Sequence, residues 1–263
     1  FIFDAPIRRF AIVLSHIAVE TYLMIIDNGD KMALVTKSGE SINVRLEVNP
    51  KARRLILRLD ERNREAVAVA PSKKKIGEAA AFARERIDWI AEHLQALPKH
   101  LMLRPGAEFM LRDAPCLISL DGPGRAAKLE LGPPQILRVP GQIETTGQRV
   151  ERFLRKTAKQ DLSDAVIRYC QILNVEARRV TVKDTRSRWG SCTSDGRLAF
   201  SWRLIMAPRE VLEYVAAHEC AHLLEMNHSP AFWAHVTTCR PHWKAERAWL
   251  RKHGRDLHAV RAA

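Results

Sequence analysis

The 263-residue chain contains no Cys-x-x-Cys pair. Its five cysteines (Cys116, Cys170, Cys192, Cys220, Cys239) are odd in number and far apart. That excludes a disulfide framework and a cysteine-held zinc site, and it fits a reducing, cytoplasmic setting. A clean membrane span is missing too. The apolar stretch from Phe10 to Ile26 follows Arg8-Arg9, but His16 and Glu20 interrupt it and no clear small-x-small cleavage site follows. It reads as a buried or loosely packed extension rather than a targeting element, with Met32 as an alternative start, and no membrane partner is expected. Acid is scarce: 30 Asp and Glu stand against 43 Lys and Arg, a net charge of +13. Such an excess favours anionic partners without choosing among nucleic acid, nucleotides and acidic peptides. There is no internal repeat and no low-complexity tract. The remaining composition, 46% hydrophobic and 28% charged, is that of an ordinary globular protein large enough to bury a full core.

Three regions follow from the pattern: an extension over 1–40, a β-rich region with one long helix over 41–142, and a catalytic-type domain over 143–263. Alternation predicts strands at Ile42 to Val48, Leu55 to Leu59 and Ala66 to Ala70. A helix opens at Pro71-Ser72 and carries apolar residues at helical spacing from Ile76 to Leu97. Between Leu103 and Pro140, frequent proline and glycine separate short runs at Cys116–Leu120, Ala127–Leu131 and Ile136–Val139, which read as a small antiparallel sheet. Thr146 to Leu173 reads as one helix, with Val150, Leu154, Leu162, Ala165, Val166 and Tyr169 on its buried side. Arg149, Arg152, Lys156 and Lys159 form a basic stripe near its start. A strand at Val180–Asp184 and a hairpin from Arg188 to Leu204 come next, and a last helix is expected from about Trp243 to Lys252, ending at His253-Gly254.

The chemistry concentrates at His218-Glu219-Cys220-Ala221-His222. Residues four apart share one helix face, so His218 and His222 can grip one metal ion from the same side. Glu219 is then placed to take a proton from a water activated there, the metalloprotease form of the motif. A catalytic zinc ordinarily keeps a third protein ligand. Glu225 is too far along a straight helix from His218, a rise of roughly 10 Å. His228 follows Asn227, a residue that tolerates the left-handed turn ending many helices. His228 is therefore the expected third ligand, and Glu225 is expected either on the helix face or supporting a ligand from behind. The apolar Val211–Ala217 segment suits a buried helix, in which an unpartnered carboxylate is costly unless it has a task.

Read together, Arg186-Ser187-Arg188-Trp189-Gly190-Ser191-Cys192, Trp202-Arg203-Leu204, Tyr214-Val215-x-x-His218-Glu219-x-x-His222, His228-Ser229-x-x-Phe232-Trp233 and Trp249-Leu250-x-x-His253-Gly254 resemble the YgjP-like metallopeptidase family, a relative of the WLM and SprT-like zincins. The strands and helix from about Ile42 also fit that layout, and residues 1 to about 40 fall outside it. The resemblance implies an α+β zincin-like fold, zinc as cofactor on His218, His222 and His228, and Glu219 as catalytic base. An edge strand at Arg188–Cys192 is expected to pair with an extended peptide. Arg186, Arg188, Trp189 and Arg203 are the expected substrate contacts. The leading expectation is a metallopeptidase. Two alternatives stand beside it: hydrolysis of a nucleotide phosphoanhydride at the same site with the arginines on the phosphates, and a SprT-like DNA-associated module using the basic helix near Arg152. The nucleic-acid reading is the weaker, because the stripe lacks interleaved aromatics, and no oligomeric state is read from the pattern.

Overall fold

The computed structural model describes residues 27–185 and 188–262. The apolar stretch from Phe10 to Ile26, together with Arg186 and Ser187, lies outside them. Among the described residues no helix is long and apolar enough to cross a membrane. The chain divides into two compact units between Leu97 and Pro98.

The first unit is a four-stranded sheet covered by helices. Its strands are β1 (Lys31–Val35), β2 (Ser41–Val48), β3 (Ile56–Asp60) and β4 (Glu65–Ala70), in the order β1-β2-β4-β3. The central pair β2 and β4 is parallel, and β3 returns antiparallel at the edge. β1 lies within the stretch expected to be an extension; it is a regular strand, antiparallel to β2. The expected single helix after Pro71 is two: α1 (Ile76–Glu85) and α2 (Ile87–Gln95), separated at Arg86, whose N–H reaches back to Ala83 O in a tightened turn. Val44, Leu46, Ala66, Ala68, Ala80, Ala83 and Ile90 form the core between sheet and helices. Their alternation on the strands and three-to-four spacing on the helices were legible in advance.

The second unit holds the motif. It begins with β5 (Leu101–Leu103), β6 (Glu108–Leu111), β7 (Ala114–Ser119), β8 (Lys128–Glu130) and β9 (Gln135–Arg138). The sheet β6-β7-β9-β8 is mixed rather than antiparallel, because β7 and β9 run parallel. α3 follows (Thr146–Leu173), with the bounds its apolar period predicts. Asn174 ends it in the left-handed conformation (φ 52°, ψ 49°), its N–H on Cys170 O.

Then come β10 (Arg179–Lys183), β11 (Gly190–Cys192), β12 (Arg197–Ser201), α4 (Arg209–Ala221), α5 (Pro230–Cys239), α6 (Trp243–Ala259) and β13 (Val260–Ala262). β12 lies between β10 (parallel) and β11 (antiparallel), and β13 pairs in parallel with β5. Trp202–Met206 is a buried 3-10 turn and not a continuation of the hairpin strand. α6 runs through Gly254 instead of ending there. A side chain at 254 would have its Cβ 3.0 Å from the Trp189 ring, so the glycine makes room for the indole and packing outweighs its poor helix propensity.

One core joins Leu103, Phe109, Ile118 and Leu137 to Leu154, Leu162, Phe200, Trp202, Ala216 and Phe232. Each such side chain contributes roughly 1.5–3 kcal/mol by leaving water. The small sheet therefore belongs with α3 and α4. That moves the division from the expected 142/143 to 97/98, since the apolar faces of 103–139 are buried against the second unit's helices.

Candidate metal centre

α4 starts after Pro208, whose missing N–H falls where no helical acceptor exists. The helix is buried almost throughout, Glu219 included. It stops at His222 and does not run on to Asn227. Leu223 N–H bonds Cys220 O at 3.0 Å and Leu224 N–H bonds Ala221 O at 3.1 Å, so tightened turns satisfy the last carbonyls. Asn227, expected in a left-handed turn, is not in one. Its side-chain carbonyl instead accepts from Ser229 N at 2.9 Å. Ser229 caps α5, its hydroxyl accepting from Phe232 N at 3.2 Å, with Pro230 at the first position.

These turns bring the three histidines together. One ring nitrogen or its equivalent from each of His218, His222 and His228 lies within 4.8 Å of the others. His218 Nε2 and His228 Nε2 are 3.2 Å apart. Two nitrogens each about 2.0 Å from a tetrahedral ion stand about 3.3 Å apart, so the spacing fits zinc. His222 Nδ1 meets Glu225 O at 2.9 Å. Donation to that carbonyl fixes the tautomer and turns the Nε2 lone pair toward the other rings. Glu225 thus contributes its backbone and not a helix-face carboxylate. His218 Nδ1 is buried with no hydrogen-bond partner among the described residues. Phe232 packs on all three rings, at centroid distances of 4.9, 4.5 and 4.8 Å, and Trp233 stacks between His228 and Trp243.

Electrostatics suit neutral ligands. Burial, then the neighbouring imidazoles His222 and His228 and the Arg247 charge, drops His218 to about 3. Burial also lowers His222, against the pull of the Glu225 carbonyl. Burial lifts Glu219 to about 8, while the Arg188 charge draws it back. A buried carboxyl of this kind titrates near neutrality before any cation adds its field.

β11 completes the wall. A Cβ on Gly190 would lie 2.6 Å from Glu219 Cγ and 2.7 Å from Cδ, with Oε1 closer still. The absent side chain is therefore what lets the carboxylate lie against the strand. Cys192, two residues on and on the same face, feels the Glu219 charge on top of the burial that takes its thiol to about 11. Gly190 and the Glu225 carbonyl were not singled out from the sequence, and Asn227 was expected as a left-handed turn residue and not as the acceptor for Ser229; the only signals were a glycine beside Trp189 and an Asn-His-Ser-Pro turn.

The expected substrate contacts fare differently. Arg188 is exposed and close enough to Glu219 to shift it. Arg186 lies outside the described residues. Trp189 stacks on His258 (4.5 Å) against Gly254, on the α6 side of the hairpin. Arg203 is not brought to a substrate surface. It is buried, donating to Leu257 O at 3.0 Å, Val260 O at 2.7 Å and Asp184 Oδ1 at 3.2 Å, and lying over the Trp202 ring. Its guanidinium ties the end of α6 to the hairpin.

A buried glutamate beside three converging imidazoles on an α+β frame is the construction of a metal-dependent peptidase. The model of the YgjP-like metallopeptidase domain matches residues 53–253, and the chain belongs to that family. Among solved structures, the metallopeptidase zymogen abylysin of Pyrococcus abyssi is similar at 20% identity and a TM-score of 0.33, over 39% of this chain and 99% of its own. No curated protein matches the chain.

Proposed function

We propose that the protein is a zinc-dependent peptidase in which His218, His222 and His228 hold the ion and Glu219 is the general base. The convergence of three imidazole nitrogens within 4.8 Å, beside a buried carboxylate, carries the reading. Zinc held there supplies Lewis acidity, making water nucleophilic near neutral pH and polarising a carbonyl. Glu219 takes the proton from the attacking water and passes it toward the leaving amine. The outer edge of β11, unpaired among the described residues, receives the substrate as an added extended strand. Arg188 at the mouth attracts acidic or polar substrate segments.

The phosphoanhydride alternative called for several arginines on the phosphates, and the engagement of Arg203 with Leu257, Val260 and Asp184 favours the peptide. The test is Glu219→Gln. Cleavage of an unfolded protein substrate is expected to stop while metal content stays near one zinc per chain. Turnover that survives this change refutes the mechanism, and turnover of nucleoside triphosphates but not of peptides refutes the substrate class.

A further inference from the structure

The two edges of the sheet β10-β12-β11 meet different chemistry. β11 borders Glu219, whereas β10 lies at the opposite edge, two strand spacings or about 10 Å across. Between β10 and α3 runs an open groove of about 460 Å³, lined by Arg155, Lys156 and Lys159 from the helix and by Arg179, Val180, Thr181 and Val182 from the strand. Arg155 is engaged by Glu151 at 2.7 Å and Asp184 at 4.0 Å. Lys156, Lys159 and Arg179 are exposed and have no carboxylate partner among the described residues. Arg149, the first member of the basic stripe, is turned away, bound to Thr145 Oγ1 and Arg125 O. The stripe therefore resolves into a cationic wall standing along a sheet edge.

That edge is itself unpaired: among the described residues β10 pairs only with β12. A free strand edge is a template for another extended chain. Here cations at both ends, Arg179 and Lys183, repel a second copy of this basic strand and admit an acidic one. The spacing matches as well. Lys156 and Lys159, three residues apart on a helix, root their side chains at Cβ atoms about 5–6 Å apart, close to the 6–7 Å between alternate residues of an extended peptide. The lining contains no aromatic ring on which bases could stack, which favours a peptide over single-stranded nucleic acid.

We propose that β10 and the face of α3 beside it form a second binding site, which takes an extended acidic segment of a protein by strand addition. Glu or Asp at alternate positions of that segment meets Lys156, Lys159 and Arg179, while its backbone pairs along Val180–Val182. The site stands independently of the metal centre.

The probe is a fluorescein-labelled ten-residue peptide alternating Glu and Thr. Its anisotropy is followed on the zinc-loaded full chain carrying Glu219→Gln, so that nothing is cleaved. Saturable binding is expected, about tenfold weaker after Lys156→Glu with Lys159→Glu, lost when alternate peptide groups of the probe are N-methylated, and unchanged when zinc is removed. Both lysines are exposed, and should the double reversal fail to fold, Lys156→Gln and Lys159→Gln carry the same test at about two- to threefold each. Four outcomes overturn the proposal: no binding, equal binding after charge reversal, equal binding of the N-methylated probe, or loss on zinc removal. Binding of duplex DNA to this groove in place of the peptide also overturns it.

Discussion

Gly190→Ala isolates the contact between the hairpin and the base. The added methyl would stand 2.6–2.7 Å from Glu219 Cγ and Cδ, where carbon atoms ordinarily settle at about 3.5–4.0 Å. Relief requires a movement of roughly 1 Å by the carboxylate or by β11. Both are confined: Glu219 is buried, and β11 is held by β12 and by Ser201 N–H on Trp189 O at 2.8 Å. Overpacking of this sort costs about 1–3 kcal/mol of stability. A displacement of about 1 Å in a positioned group costs on the order of 10²-fold in rate. That loss corresponds to about 2.7 kcal/mol of barrier, within the 10²–10⁴ that general-base catalysis supplies.

The assay measures kcat and KM on a labelled unfolded protein, alongside zinc content and the urea midpoint. The expected result is a fall of about 10² in kcat, with KM within about threefold and zinc near one per chain. Ser191 points to the other face of the strand, so Ser191→Ala serves as control and should stay within about threefold. If the folded, zinc-loaded Gly190→Ala protein keeps wild-type kcat, Glu219 does not depend on this contact and the argument fails.

The remaining expectations concern the supports of the site. Asn227→Ala removes the acceptor for Ser229 N and loosens the turn that presents His228; zinc affinity by competition with a chromogenic chelator should fall about 10–100-fold, and an unchanged affinity would show that the turn needs no such anchor. Arg203→Met leaves the Leu257 and Val260 carbonyls and Asp184 without their donor, so the urea midpoint should report a loss of about 3 kcal/mol. Activity per folded molecule should be nearly unchanged there; a selective rise in KM would return Arg203 to the substrate. Burial, with the Arg203 charge behind it, holds His258 at about 4 in the folded protein against 6.5 unfolded. Its contribution is complete above pH 6.5 and is lost as pH falls toward 4, because the unfolded chain takes the proton first. Urea midpoints from pH 7 to pH 4.5 should therefore decline, less steeply in His258→Gln; equal slopes would assign the acid sensitivity elsewhere.

What could be read from the chain and what could not divide along the range of the interactions. α3 was legible to the residue, because its apolar positions recur every three or four residues and Asn174 ends it locally. The ligand pair His218 and His222 is equally local, four residues on one helix. By contrast, the parallel pairings β2/β4 and β7/β9 depend on which distant segments meet, and alternation within a strand is silent on that. Gly254 reads as a helix stop until Trp189, 65 positions earlier in the chain, is seen to occupy the space above it. Arg203 reads as a free cation beside the motif until α6 delivers two carbonyls to it. In both cases the local rule was sound and a tertiary contact outweighed it.

The same distinction explains how the third histidine reaches the site. A ligand farther along α4 would have to span more than one turn of rise, and the helix avoids this by ending at His222 itself. The loop that follows is short, so each polar group in it has to serve two ends. Glu225 closes the turn with its N–H on Ala221 O at 3.0 Å and orients His222 with its carbonyl; Asn227 closes the backbone at Ser229, and Ser229 in turn caps α5, which carries Phe232 onto all three rings. Position of the ligands is therefore coupled to the capping of the next helix. A loop stabilised in this way holds the imidazoles close before any ion arrives, which lowers the ordering cost of binding one.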